Sequence, residues 1–228
     1  MPKQPSRPTS RNLSRTRLIE SDDDVRAGIR ALRRKCDAIR RMHDLVGDPP
    51  LHRYTPDFEA LARIVVGQQL SIASAGAIWG RVAALGPMSA KAMLKHTPER
   101  LAAAGLSGGK IRTLQALSSA VAQEGLDFAA LVQLGDETVR ERLVQIHGIG
   151  PWTADIFVMF AIGRADAWAP GDLALQVAAG RVLGLEAKPT AVELTEIAER
   201  WRPWRGVAAR LLWAHYAHKP GAEKASPV

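Results

Sequence analysis

Several scarcities narrow this chain before any motif is read. It has one cysteine, Cys36, in 228 residues. A disulfide within the chain is therefore excluded, as is any zinc or iron–sulfur site built from cysteines alone. The usage suits a reducing compartment, and a cytoplasmic protein is expected. Tyrosine (two) and phenylalanine (four) are few, and β-branched residues rarely alternate with polar ones, so strands have little signal. No apolar run approaches the ~18 residues of a membrane helix. The basic N-terminus lacks the apolar stretch of a secretory signal. Acidic excess is missing too. Thirty-one Lys and Arg face 23 Asp and Glu, for a net charge of +8. A basic surface favours polyanions, nucleic acid first.

Helix punctuation, by contrast, is dense. Ser21 or Asp22 can cap a first helix running to about Leu45. Asp57 precedes FEALARIVV, with Phe58, Leu61, Ala62 and Val65 at helical spacing. Gly67-Gln68-Gln69 interrupts, and a helix restarts near Ser71. Thr97-Pro98-Glu99 starts another, with Pro in the first turn, and Gly105 stops it. Ser107 caps the next, Asp136 caps DETVRERLVQI, Thr190 with Glu193 forms a capping box, and Pro203 opens the last. The expected fold is all-α, about ten short helices in a compact body of two lobes with a cleft. Residues 1–20, rich in Pro, Ser, Thr and Arg, are expected to be a flexible basic arm. Residues 21–218 form the helical domain, and 219–228 a flexible tail.

Two local features carry chemistry. The first is a helix–turn–helix corner at about 138–163, built on His147-Gly148-Ile149-Gly150-Pro151. Gly148 and Gly150 can take positive φ and let the backbone approach another group. The N–H groups freed at the second helix start can bind an anion, with a DNA phosphate as the natural occupant, or the glycines can simply permit a turn. The second is Asp172. It follows Pro170-Gly171 and precedes LALQVAAGRVL, so it can cap that helix. Lys110 and Arg112 follow Ser-Gly-Gly at another helix start and are candidates for phosphate contact.

Four segments taken together resemble a known family: LVQIHGIGPWTADIFVMFAIGRADAWAPGDLAL, VVGQQLS at 65–71, GLSGGKIRTL at 105–114 and RWRPWRGVAARLLW at 200–213. They look like the helix–hairpin–helix DNA glycosylases, in the branch of 3-methyladenine DNA glycosylase II, over residues 50–217. The resemblance implies an enzyme that flips an alkylated purine out of duplex DNA and hydrolyses its N-glycosidic bond. Asp172 is then the catalytic carboxylate. Trp152 and Trp213 are pocket aromatics, whereas Trp79, Trp201 and Trp204 read as core. Gly148, Gly150 and Thr153 are DNA contacts. The turn at Gln68 and Gln69 fills the space the base leaves; some relatives carry a bulky apolar wedge there.

Backbone carbonyls of Val144, Ile146 and Gly148 would hold a structural Na+ or K+, with no other cofactor required. Relatives that also cut the strand carry a lysine where Trp152 stands, and Lys110 and Lys188 fall outside the motif. A monofunctional, monomeric enzyme of the compact form, without an extra N-terminal β-domain, is expected. Two other readings stay open: a glycosylase for hypoxanthine, ethenoadenine or mismatched bases, and a non-catalytic DNA-binding module using the same hairpin.

Overall fold

A computed structural model describes residues 17–218 of the chain. The chain folds as α1 (Asp22–Lys35), α2 (Asp37–Val46), α3 (Phe58–Gly67), α4 (Ile72–Ala83), α5 (Ala90–Met93), α6 (Pro98–Ala103), α7 (Gly108–Ala122), α8 (Phe128–Val132), α9 (Asp136–Val144), α10 (Pro151–Phe157), α11 (Leu173–Leu183), α12 (Ala191–Ala198) and α13 (Arg205–Ala217). A π-helical turn, Val158–Ile162, continues α10, and a 3-10 turn, Glu199–Trp201, follows α12. Among the described residues there is no strand, only one isolated bridge, so the fold is all-α.

Capping explains most of the starts. The side chains of Ser21, Asp57, Ser71, Thr97, Ser107 and Thr190 each accept a backbone N–H of the helix that follows. Each satisfies a donor that the first turn leaves without an intrahelical partner. α5 and α8 are additions to the sequence reading, capped by Ser89 and Asp127. Asp136 is a correction. Gly135 is the cap of α9, and the Asp136 carboxylate turns to Arg164 at 3.2 Å.

The expected single helix to Leu45 is also corrected, because Cys36 is extended (φ −146°, ψ 110°) and splits it into α1 and α2. Leu32, Ile39 and Met42 are buried on either side. The apolar spacing therefore runs through the break, and no Gly or Pro marks it. Residues 17–20 are not a free arm. Leu18 bridges Arg164, the Ile19 N–H donates to Gly163 at 2.8 Å, and Ile19 is fully buried. The rest of the expected arm, and the expected tail at 219–228, lie outside the described residues.

The helices sort into two packed groups. α1, α2, α11 and α13 lie against one another, while α7 gathers α3, α5 and α6. α10 rests on α3 and α9, and Trp152 in its first turn bonds Asp172 at the head of α11, which puts the start of α10 at the seam between the groups. Trp79, Trp201 and Trp204 are buried in the core.

Candidate functional site

Asp172 caps α11, with Oδ1 accepting the Leu175 N–H at 2.9 Å. Two indoles reach the same carboxylate from different helices. Trp213 Nε1, on α13, donates to Oδ1 at 3.0 Å, and Trp152 Nε1, in the first turn of α10, donates to Oδ2 at 2.8 Å. Three N–H donors thus fix both oxygens, and among the described residues Asp172 is in no ion pair. Hydrogen bonds to an ionised group are the stronger kind, so the carboxylate is held in position without being neutralised. Asp172 and Trp152 are partly exposed; Trp213 is buried. The result is a negative charge at the seam, edged by two indoles.

Behind Trp213 lies Phe160, its ring centroid 5.5 Å away. Phe160 belongs to the π-helical turn, whose carbonyls at Met159 and Ala161 accept from Arg210 (3.4 Å) and Arg53 (2.6 Å). Arg210 is 3 % exposed and also donates to Leu51 and Gly206, at 3.2 and 2.8 Å. Burial pulls its pKa down to about 9. These arginines supply donors to backbone that the irregular turn would otherwise leave short.

Six residues, Gln145 to Gly150, connect α9 to α10. Gly148 has φ 82°, and a Cβ there would collide with the Thr113 hydroxyl of α7. Both the dihedral and the contact require glycine. The expectation of positive φ at Gly150 is corrected: it is extended (φ −94°, ψ 175°) with open space at its Cα. An ion pair of Arg140 with Asp155 ties α9 to α10. Asp155 is 5 % exposed. Burial pushes its carboxyl up to about 6, against the opposite pull of Arg140.

The family model described as HhH-GPD superfamily base excision DNA repair protein matches residues 62–203. The chain belongs to that superfamily. The HhH-GPD relatives include a Mycobacterium tuberculosis protein named "Probable bifunctional transcriptional activator/DNA repair enzyme AlkA". It is 34% identical over 216 residues, covering 89% of this chain and 42% of the relative. This chain therefore spans under half the length of that relative. Among solved structures, the DNA-3-methyladenine glycosidase of Bacillus halodurans is 31% identical with a TM-score of 0.70. That match covers 83% of this chain and 88% of the other. The Schizosaccharomyces pombe 3-methyladenine DNA glycosylase Mag1, solved with abasic DNA, has a TM-score of 0.73 and 27% identity, covering 82% and 95%.

Within this HhH-GPD fold the remaining expected contacts divide. Gln68 is turned inward, its Nε2 donating to Thr153 Oγ1 at 2.8 Å and to the Gly148 carbonyl at 3.3 Å. It joins the α3–α4 turn to the hairpin, and Thr153 is 2 % exposed. The Thr153 side chain is withdrawn from solvent, while Gln68 stays partly exposed with its amide nitrogen committed to the hairpin. Gln69 is exposed with φ 57°, and Leu70 and Ile72 beside it are exposed as well. Lys110 Nζ donates to the Val66 carbonyl at 2.7 Å, closing the end of α3 instead of pointing outward. Burial lowers its pKa. Arg112 is exposed.

Of the three carbonyls expected around a cation, Ile146 accepts the Ile149 N–H at 3.0 Å and Gly148 accepts Gln68. Each oxygen keeps a second lone pair, and an all-oxygen set suits a hard cation. Thr113 and Phe160 were not singled out by the sequence. The only signal for either was its place in a quoted segment: Thr113 in GLSGGKIRTL and Phe160 in LVQIHGIGPWTADIFVMFAIGRADAWAPGDLAL.

Proposed function

We propose that this chain is a monofunctional DNA glycosylase acting in base excision repair. It takes an alkylated purine such as 3-methyladenine out of the duplex and leaves an abasic site. The observation that carries the reading is the carboxylate of Asp172 held at both oxygens by Trp152 and Trp213. The names of the Bacillus halodurans and Schizosaccharomyces pombe enzymes support the substrate class.

The chemistry follows from that arrangement. An alkylated purine already carries positive charge, so it leaves readily with the electron pair of its bond to C1′. Positive charge then grows on the deoxyribose. A fixed carboxylate beside it lowers the barrier electrostatically, because its donors are in place before the charge forms. Water adds to C1′ and loses a proton. The flipped base needs an aromatic wall, and an electron-poor ring is attracted to an indole face.

Trp152 stands where a strand-cutting relative has its lysine, so no Schiff base forms at that position. Exposed Gln69 and Leu70 fill the gap in the duplex, and Arg112 and the hairpin backbone at Gly148 and Gly150 contact phosphate. Val144, Ile146 and Gly148 would hold Na+ or K+ through their carbonyls, which would add positive charge beside a phosphate. The enzyme acts as a monomer on double-stranded DNA, in the cytoplasm. No helix among the described residues is long and apolar enough to cross a membrane.

The test is release of 3-methyladenine and 7-methylguanine from methylated duplex DNA. Release by the wild type, and far slower release by Asp172→Asn, is expected. DNA binding without any base release would instead favour a non-catalytic module.

A further inference from the structure

We propose that Lys188 is a phosphate-binding residue for the DNA strand that carries the damaged base, and that Gly180, Gln176 and Pro170 are the frame that holds it. The proposal rests on the glycosylase reading for its ligand and on four local observations for its geometry.

α11 ends at Gly184, whose φ of 67° reverses the chain. Residues 185–189 then run back along the helix. They can lie close because residue 180 is glycine: a Cβ there would sit 3.3 Å from the Lys188 Cα and 3.4 Å from the Ala187 carbonyl. From this position Lys188 Nζ reaches toward the first turn of α11 and donates to Gln176 Oε1 at 3.2 Å. Gln176 is 8 % exposed, and its Nε2 is committed to the Pro170 carbonyl at 2.9 Å. That bond fixes the amide, so Oε1 can only face the lysine. Pro170 stands two residues before Asp172. One side chain therefore connects the ammonium to the loop that presents the carboxylate.

The charge of this lysine is not cancelled. Its partner is a neutral amide, and among the described residues it is in no ion pair. An ammonium has three donors, so two remain beyond the bond to Gln176. Lys188 as a residue is exposed and lines a concavity of about 240 Å³ beside α11, together with Arg181 and Glu186. Lys110 also bonds a single neutral oxygen, but it is partly buried against the end of α3, whereas Lys188 is exposed. A framed cation next to the loop of a site for a flipped deoxyribose suits a phosphodiester of the same strand.

The test is fluorescence anisotropy across a range of salt, on a duplex with a tetrahydrofuran abasic analogue and on its undamaged counterpart. In Lys188→Gln the slope of log K against log salt is expected to fall by about 0.9, the value for one phosphate. Both duplexes should lose affinity by the same factor, and Lys188→Arg should keep the slope. Neutral methylphosphonate linkages placed one at a time in the lesion strand should include one that weakens the wild type and not Lys188→Gln. An unchanged slope, a loss confined to the abasic duplex, or no such linkage overturns the proposal. Base release by the same wild-type preparation separates the two readings. Release with an unchanged slope removes only the role of Lys188; a lowered slope without release removes only the glycosylase.

Discussion

Asp172 and the Gln68–Ser71 turn are both placed by helix ends, yet their side chains finish in opposite situations. Around Asp172 the protein supplies every partner: one backbone N–H and two indole N–H groups within 3.0 Å. At the turn no described residue hydrogen-bonds the Gln69 side chain. Leu70 is 38% and Ile72 44% exposed, and Gln69 sits at φ 57°, a region that side chains other than glycine rarely adopt. One region is finished before DNA arrives, as electrostatic catalysis requires. The other presents apolar surface and a left-handed glutamine to solvent, which on the proposed reading is where the duplex is met.

The comparison breaks most severely at Asp172. In Asp172→Asn both former oxygens still face an indole N–H, so the amide group must meet one of them donor to donor. The variant loses the charge and also leaves a donor unmet. A fall on the order of 10³-fold in the single-turnover rate of base release is expected. Retained affinity for abasic duplex, measured alongside, separates chemistry from binding.

Next in size is the rigidity of the α9–α10 hairpin. Asp155 has its carboxyl pushed up to about 6 by burial. A raised acid binds its proton more tightly when folded. Its contribution is therefore full below the ordinary carboxylate range near pH 4 and is lost as pH rises through about 6, worth at most on the order of 3 kcal/mol. Thermal melts from pH 4 to pH 7.5 should show the wild type losing stability relative to Asp155→Asn as pH rises. A constant difference between the two would contradict this.

Trp152→Phe sharpens the comparison within the site. It keeps an aromatic face and removes the N–H that Oδ2 accepts. Trp213→Phe leaves Oδ1 with the Leu175 N–H. If the indoles position the carboxylate as well as stack, Trp152→Phe should lower kcat about tenfold and Trp213→Phe less, by the worth of one hydrogen bond to a charged group. Equal, small effects would reduce both residues to stacking.

How legible each region was follows the same division. Helix starts and Asp172 as a cap could be read because caps use particular residue types at fixed offsets. The pairing of Asp172 with Trp152 and Trp213 came only with the family resemblance, since three distant residues share no local pattern. The sequence makes Gln68 and Lys110 candidates for DNA contact, and it holds no sign that both bond backbone carbonyls or a buried hydroxyl within the protein. Any backbone offers such acceptors, so the sequence around them carries no trace. The break at Cys36 was hidden for a related reason, because the apolar period continues across it. The π-helical turn that seats Phe160 likewise has no residue signature.

The smallest expected effect addresses which group at the turn matters. Gln69→Gly removes the side chain and suits the φ of 57° better than glutamine does. If only the shape of the turn counts, the variant should be as active as the wild type. If the glutamine side chain occupies the space left by the base, the two measurements should part. Thermal stability should hold or rise, since the left-handed strain is relieved. Base release from methylated duplex should fall about fivefold, on the order of 1 kcal/mol. Strain kept at an exposed glutamine has a cost that glycine would avoid, and on the proposed reading a side chain inserted in the duplex is the reason to retain it. Unchanged release with raised stability would shift that role to Leu70.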